Sequence, residues 1–311
     1  MRPHSVMNDI LDGLVIGGGP AGLTAAIYLA RFHLRVLVVD RGGGRAQSIP
    51  KTHNHAGFPD GIVGAGLVAN MARQARNFGA WIKCGTVTAL RQEADGFIVT
   101  IGRAEQLAKA VLLATGVRNL APPAMDQALH DQAVADNLLR YCPVCDGYEV
   151  TDADVGVIGT GAHAAREALF LRSFTARVTL IAPRAGHDLG AADQAMLEDA
   201  GIARDDGPII GYAIEQHRLV LATASARPAF EAVYPAMGTI VHSDLAVALG
   251  AAVTASGSVE VDAHQRTTIA GLYAAGDVVR GLDQISHAMG KAGVAATAIR
   301  NDLNARCVLR R

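Results

Sequence analysis

Leu14-Val15-Ile16-Gly17-Gly18-Gly19-Pro20-Ala21-Gly22 is the stretch that decides how this chain folds. Its three apolar residues make a short buried strand, and the glycines after them fit G-x-G-x-x-G. A helix-like stretch follows to Phe32, and Arg35 to Asp40 reads as a second strand. Each glycine answers a physical need: a tight turn, close approach of a pyrophosphate to backbone N–H, and close packing of helix on strand. Asp40 ends the second strand, where a carboxylate can accept hydrogen bonds from both hydroxyls of an adenosine ribose. A glycine motif alone says little. The strand before it, the helix after it and the acid at this spacing together specify a dinucleotide site, with Gly17, Gly19, Pro20, Ala21, Gly22 and Asp40 as its candidate residues.

The unit occurs twice. Val155-Gly156-Val157-Ile158 is again a strand, Gly159-Thr160-Gly161-Ala162-His163-Ala164 fits G-x-G-x-x-A, and a helix-like stretch to Phe174 leads to a strand from Arg177 to Ile181. Gly159, Gly161, Ala162 and His163 are the matching candidates. His163 opens the helix, where it either pins a phosphate or faces solvent. Counting 23 residues on from the first glycine reaches Asp40 in one copy and Ala182 in the other. Losing that carboxylate removes a ribose contact that favours NADH and a repulsion against a 2′-phosphate. Arg184, two residues further, could supply a pairing charge.

Between the copies lies Tyr141-Cys142-Pro143-Val144-Cys145-Asp146-Gly147-Tyr148-Glu149. A Cys-x-x-Cys pair among nucleotide-binding signatures reads as a redox dithiol, and one thiolate of such a pair commonly has a lowered pKa. Asp146 places a carboxyl beside the sulfurs to give or take a proton. Half a zinc site is the competing reading, but structural zinc needs four ligands, and Cys84 and Cys307 stand isolated. An inert pair is the other alternative. Two dinucleotide motifs with a dithiol between them suggest a flavin and a nicotinamide nucleotide serving one active site.

The remaining segments fill in an α/β chain. Lys51 to Pro59 is polar and turn-rich. His53 and His55 flank Asn54 there, but in a loop they have no fixed metal geometry, and no metal is expected. Leu67 to Phe78 reads as a helix, and Thr86–Arg91 with Phe97–Ile101 as a hairpin around Asp95-Gly96. Lys109 to Ala114 is a strand running into Thr115-Gly116. Asn119 to Pro123 reads as a linker, and Asp131 to Arg140 as a helix that delivers the chain to Cys142. Gly190–Gly201 suggests a helix, Pro208–Thr223 a hairpin, and the strand ending at Met237-Gly238 a return crossing. Thr268 to Ala275 is a strand running into Gly276-Asp277, followed by an Ala- and Gly-rich helix from Gln284 to Leu303.

Bulk properties bound the partners. The chain has 311 residues, room for two cores, and a net charge of -1, which argues against a nucleic-acid or membrane surface. Four cysteines, two of them isolated, are no secreted disulfide framework. Met1 to Asp9 has no apolar signal-peptide core, and the glycines interrupt the apolar run from Leu14 to Ala30, so a cytoplasmic location is expected.

With these pieces in order the chain resembles the low-molecular-weight thioredoxin reductase family over nearly its whole length. The motifs that carry this are the first glycine turn, Ala114-Thr115-Gly116, Cys142-x-x-Cys145-Asp146-Gly147, the second glycine turn and Gly276-Asp277. The resemblance implies two Rossmann-like α/β domains, the NAD(P)H domain inserted into the FAD domain: residues 1–116 and 244–311 for FAD, 117–243 for NAD(P)H and the dithiol. It implies a homodimer and a swivel between domains. It places Asn54, Thr115, Gly116, Gly276, Asp277, Gln284 and Ile285 at FAD, and Cys145 nearer the flavin than Cys142. Two departures stand out. The family's His-Arg-Arg run is here Ala182-Pro183-Arg184, and Pro143-Val144 replaces its usual Ala-Thr, similar to related flavin enzymes that oxidise dithiols and pass electrons to oxygen. The expected function is electron transfer from NADPH through FAD and the Cys142–Cys145 disulfide to thioredoxin or another disulfide. A dithiol oxidase and a non-catalytic flavin-binding regulator are the alternatives.

Overall fold

Short runs rich in Val, Ile and Leu alternate with helices rich in Ala, the pattern of buried parallel strands covered by closely packed helices. The computed structural model describes residues 10–310, so the reading of Met1 to Asp9 lies outside the described residues. The first unit runs β1 (Gly13–Ile16), α1 (Pro20–Arg31), β2 (Val36–Asp40), α2 (Gly64–Asn77) and β3 (Trp81–Cys84). An antiparallel insert follows, β4 (Val87–Glu93), β5 (Gly96–Ile101) and β6 (Ala104–Ala108), and then β7 (Val111–Leu113). The chain leaves along β8 (Val117–Asn119).

The second unit holds α3 (Gln127–Ala135), the single turn α4 (Pro143–Asp146), β9 (Val155–Ile158), α5 (Gly161–Leu171), β10 (Val178–Ile181), α6 (Ala191–Asp199) and β11 (Ala203–Asp205). The ribbon β12 (Ile209–Glu215), β13 (Arg218–Thr223) and β14 (Ala229–Phe230) precedes β15 (Ala232–Pro235). The chain returns on β16 (Thr239–Val241) and completes the first unit with α7 (Asp244–Ala248), β17 (Leu272–Ala274) and α8 (Ile285–Arg306).

Each unit is a parallel sheet. The first has the order β17-β7-β1-β2-β3, the second β11-β10-β9-β15. Tyr273 pairs with Leu112, so the C-terminal segment supplies an edge strand to a sheet begun near the N-terminus. The outgoing β8 and returning β16 pair antiparallel, Arg118 opposite Ile240, so the two crossings form one ribbon. The inserted architecture expected from the sequence is therefore present. Under the first sheet, Ala25, Ala26 and Leu29 of α1 meet Ala292, Ala295, Ala296 and Ile299 of α8, all buried. Small side chains let two helix axes approach closely, and that contact fixes α8 against the glycine turn.

Three local expectations differ from the structure. The hairpin of β4 and β5 gains a third strand, β6, whose alternation is masked by Glu105 and Gln106. The helix before the dithiol begins earlier and stops sooner than Asp131–Arg140. Asp126 caps it, its Oδ1 accepting from Ala128 N and Leu129 N, and Asn137 in the left-handed region (φ 59°) stops it from continuing. The strand expected from Thr268 pairs only over Leu272–Ala274, because Gly271 (φ 83°) turns the chain immediately before it.

Candidate active site

The first sheet changes direction between β1 and β7, since the chain proceeds from β1 to β2 on one side and reaches β7 on the other. Ligands of open parallel sheets bind at such a point, beyond the carboxyl ends of the strands. The backbone there is crowded on the protein side and open on the other. A Cβ on Gly17 (φ 109°) would lie 2.2 Å from the Ala114 carbonyl oxygen, and one on Gly22 would lie 1.9 Å from the Gly17 carbonyl oxygen. One on Gly19 would meet nothing within 4 Å. Gly18 N donates to Asp40 Oδ1 at 3.0 Å, which orients the carboxylate at the end of β2. Pro20 and Ala21 begin α1, and Gly276 (φ 83°) passes so near that a Cβ there would lie 2.9 Å from Ala21 Cβ. These residues fit a pyrophosphate cradle with an acidic ribose partner, as FAD requires.

Asp277 follows in a carboxylate cluster that sequence reading missed. Arg45 Nη1 donates to Asp283 Oδ2 at 2.8 Å and to Asp277 Oδ2 at 3.4 Å. Burial, with Asp283 adding to it, pushes the Asp277 carboxyl up to about 6, while Arg45 opposes the rise. Arg45 and Asp283 sit in polar loops and carry no motif. Thr115 Oγ1 donates to the His242 carbonyl at 2.6 Å, and the Gly116 carbonyl accepts from His242 N, so both brace the crossing ribbon.

The dithiol stands over this first unit. Cys142 precedes α4, Pro143 opens the turn, and Cys145 N donates to the Cys142 carbonyl at 2.9 Å, which brings the sulfurs together as a disulfide. Gln284, at the start of α8 beside Ile285, points its Nε2 at Cys142 Sγ (3.2 Å) and Cys145 Sγ (3.1 Å). Its Oε1 accepts from Asn54 Nδ2 at 2.8 Å, and Asn54 Oδ1 accepts from Thr52 Oγ1 at 2.8 Å. Loop, helix start and disulfide thus form one hydrogen-bonded chain across the two units. His55 lies 3.3 Å from Ser286 Oγ and stacks on Phe58. Among the described residues no group of three or more His, Cys, Asp or Glu side chains could hold a metal ion.

Asp146 faces inward. Its Oδ1 accepts from Tyr234 Oη at 2.8 Å and its Oδ2 from Arg140 Nη1 at 3.0 Å. Burial raises its pKa, and Arg140 and Tyr234 restrain the rise. Neither partner was legible beforehand, since Tyr234 reads as part of an apolar strand and Arg140 as the end of a helix.

The second crevice repeats the plan with looser detail. A Cβ on Gly159 would lie 2.6 Å from Ala164 Cβ and 2.9 Å from the Ala236 carbonyl oxygen. Gly161 has φ 69°, and Ala162 follows in the first turn of α5. His163 Nε2 pairs with Glu167 Oε1 at 3.2 Å one turn on, and the bond to that carboxylate raises its pKa, so this nitrogen is engaged by its own helix. Asp188 N donates to Thr160 Oγ1 at 2.6 Å, laying the loop after β10 along the glycine turn. Ala182 is fully buried. Arg184 is exposed and its guanidinium has no partner among the described residues. The fit to a dinucleotide phosphate is therefore a turn with the free cation of Arg184 beside it.

Comparison with known proteins places the chain. The pyridine nucleotide-disulphide oxidoreductase family matches residues 11–292. The chain belongs to this family. A thioredoxin reductase of Mycolicibacterium smegmatis is 38% identical over 200 residues, which cover 63% of this chain and 61% of that protein, so the match spans about six tenths of that relative. Thioredoxin reductase from Streptococcus pyogenes superposes with a TM-score of 0.88 at 26% identity, over 96% of this chain and 99% of that one. The Lactococcus lactis thioredoxin reductase in its FR conformation is covered as fully, 94% and 99%, at 26% identity, yet superposes at only 0.62. No helix among the described residues is long and apolar enough to cross a membrane.

Proposed function

We propose that this protein is a FAD-dependent thiol–disulfide oxidoreductase of thioredoxin reductase type. It passes electrons from NADPH through FAD to the Cys142–Cys145 disulfide, and on to a thioredoxin-like protein or a small disulfide. The observation that carries the reading is the disulfide held by Gln284 over the unit whose glycine turn fits FAD. When bound, FAD supplies two-electron transfer between a nicotinamide and a disulfide. The chain's own residues do the exchange that follows. Asp146 takes the proton of the Cys142 thiol, the thiolate attacks a substrate sulfur, the substrate S–S bond breaks, and the leaving sulfur takes the proton back from Asp146. Cys145, its proton taken by Asp146, then attacks Cys142 Sγ, the enzyme disulfide closes and the second substrate sulfur leaves with that proton. The enzyme dithiol is oxidised as the substrate disulfide is reduced.

The domain boundaries at 116/117 and 243/244 fall beside the β8–β16 ribbon, which supports the ribbon as the hinge of a swivel. A homodimer and a cytoplasmic location rest on the family likeness.

An anaerobic titration of the yellow protein tests the reading. NADPH should bleach the flavin, and Cys142→Ser and Cys145→Ser should each abolish disulfide turnover, with Cys145→Ser trapping a mixed disulfide through Cys142. Bleaching by a dithiol but by neither NADPH nor NADH would reverse the direction toward a dithiol oxidase. A colourless protein that takes up no FAD would end the reading.

A further inference from the structure

Asp146 is held from two sides by groups that share one piece of backbone. Asn137 ends α3, and the chain then runs extended beside β15: Val233 N donates to the Leu138 carbonyl at 2.8 Å, and Arg140 N to the Val233 carbonyl at 2.9 Å. Leu139 bridges Val233 in parallel register, which sets Arg140 beside the next residue of the strand, Tyr234. Arg140 Nε donates to the Asn137 carbonyl at 2.9 Å, so the guanidinium is fixed before it reaches Asp146. Tyr234 is 0% exposed, and its hydroxyl has the Asp146 carboxylate at 2.8 Å and the Asp146 carbonyl at 3.3 Å as acceptors. An immobile donor on each carboxylate oxygen leaves Asp146 little freedom to rotate.

The three groups and both cysteines lie in the second unit. Gln284, which also touches the sulfurs, lies in the first. Any displacement of one unit against the other would part the sulfurs from Gln284 and leave the clamp on Asp146 intact.

We propose that Tyr234 and Arg140 are positioning residues that fix the Asp146 carboxylate for proton exchange with the Cys142–Cys145 pair and set the pH range in which it works. This rests on the disulfide-exchange reading above. Three groups face the carboxylate with opposed effects: Arg140 and the Tyr234 hydroxyl favour its charged form, whereas Glu149 favours its neutral form, as does burial. Burial and the Asp146 charge raise the Tyr234 pKa, so Tyr234 stays a neutral donor throughout the working range.

Dithiothreitol provides the test, on the FAD-loaded protein. One of its thiolates attacks Cys142 Sγ, the S–S bond breaks, and Cys145 leaves with a proton from Asp146, which solvent restores. The second dithiothreitol thiol, deprotonated by solvent, displaces Cys142, which is protonated in turn, and dithiothreitol closes its own disulfide. Maleimide quenching and mass spectrometry count the cysteines freed at each time and read no flavin signal. The rate per dithiothreitol thiolate should fall as pH rises through the Asp146 titration. In Tyr234→Phe the fall should move up by roughly one pH unit, the size expected for one hydrogen bond to a charged group. Arg140→Met should move it further up, Arg140→Lys less, and Glu149→Gln should move it down. Shifts of opposite sign from removing donors and removing a like charge are what a merely structural role does not give. Unchanged positions in the Tyr234 and Arg140 variants would overturn the proposal, and so would a rate per thiolate that is flat with pH in the unaltered protein. A disulfide that dithiothreitol never reduces would instead remove the disulfide-exchange function itself.

Discussion

The two dinucleotide folds of this chain are built alike where backbone meets backbone and differ where side chains meet ligand. In both, the first glycine passes so near the neighbouring strand's exit that a Cβ would strike a carbonyl, Ala114 in one and Ala236 in the other. In both, that contact marks the point where the strand order reverses. The third small residue shows the first difference. Gly22 is required by space, because its Cβ would fall 1.9 Å from the Gly17 oxygen, whereas Ala164 carries a Cβ in the same place in the motif and is fully buried. The first turn is tighter, and it is the one closed by a carboxylate: Asp40 bonds Gly18 N, while the corresponding Ala182 has no side-chain acceptor to offer and makes only the backbone bond from its N to the Asp205 carbonyl. Ala182 is also sealed, since Gly207 packs against it so closely that a Cβ there would lie 2.3 Å from the Ala182 oxygen. The second site thus has neither the acid nor an exposed position for one.

The largest effect expected from this difference is at the third position. Gly22→Ala sets a methyl against a carbonyl oxygen in a turn that cannot yield without losing the cradle, and should cost at least about 3 kcal/mol and the bound flavin together. The reciprocal change, Ala164→Gly, should cost only about 1 kcal/mol, the helix penalty of glycine. Chemical denaturation with flavin content measured in parallel checks both. Equal losses in the two variants would erase the distinction between the turns.

A second contrast is electrostatic. The first fold concentrates Asp277, Asp283 and Arg45 at the end of β17, and the Asp277 carboxyl is pushed up to about 6. Unfolded, it would titrate near 3.8, so the folded protein binds the extra proton. The stability this gives is complete below pH 4 and lost as pH rises through about 6. Asp277→Asn should therefore raise the stability of flavin-stripped protein above pH 6 by about 2–3 kcal/mol and change little at pH 4. The same variant should bind FAD less well if the carboxylate meets the cofactor. Thermal midpoints measured across pH 4 to 8 decide it, and a gain that is equal at both ends of the range would assign it to something other than this titration.

What was legible in the sequence was what backbone geometry forces. Both glycine turns and the strands before them follow from spacing, because a strand–turn–helix with a near-zero-clearance crossing admits few residues, whereas the inserted architecture came from the family resemblance. The Cys142-x-x-Cys145 pair was legible for a similar reason, as only two residues separate the sulfurs. The long-range partners were not. Tyr234 lies 88 residues from Asp146, and it is an ordinary core residue until β15 is known to run beneath α4. Arg140 was placed in a helix because nothing in Asn137 announces a left-handed turn. The bond from the Thr115 hydroxyl to the His242 carbonyl, 127 residues on, was equally hidden.

The smallest effect concerns the one residue through which the second fold can replace its missing acid. Arg184 lies just past Ala182, and its backbone is held while its head is free: a Cβ on Gly207 would lie 2.9 Å from the Arg184 oxygen, yet the guanidinium is exposed and unpaired. A fixed base with a free charge suits a solvent-facing 2′-phosphate, and Ala182 brings no carboxylate against it. One charge-assisted pair is worth roughly 1.5–3 kcal/mol, so Arg184→Ala should weaken NADPH about 10- to 150-fold and leave NADH within about twofold. Salt should weaken NADPH binding to the unaltered protein and not to the variant, because an exposed pair is screened. Anaerobic flavin-reduction rates against nucleotide concentration provide the measurement. If NADPH and NADH weaken equally, Arg184 supports the loop and not the phosphate, and any preference between the two nucleotides would have to come from another side chain.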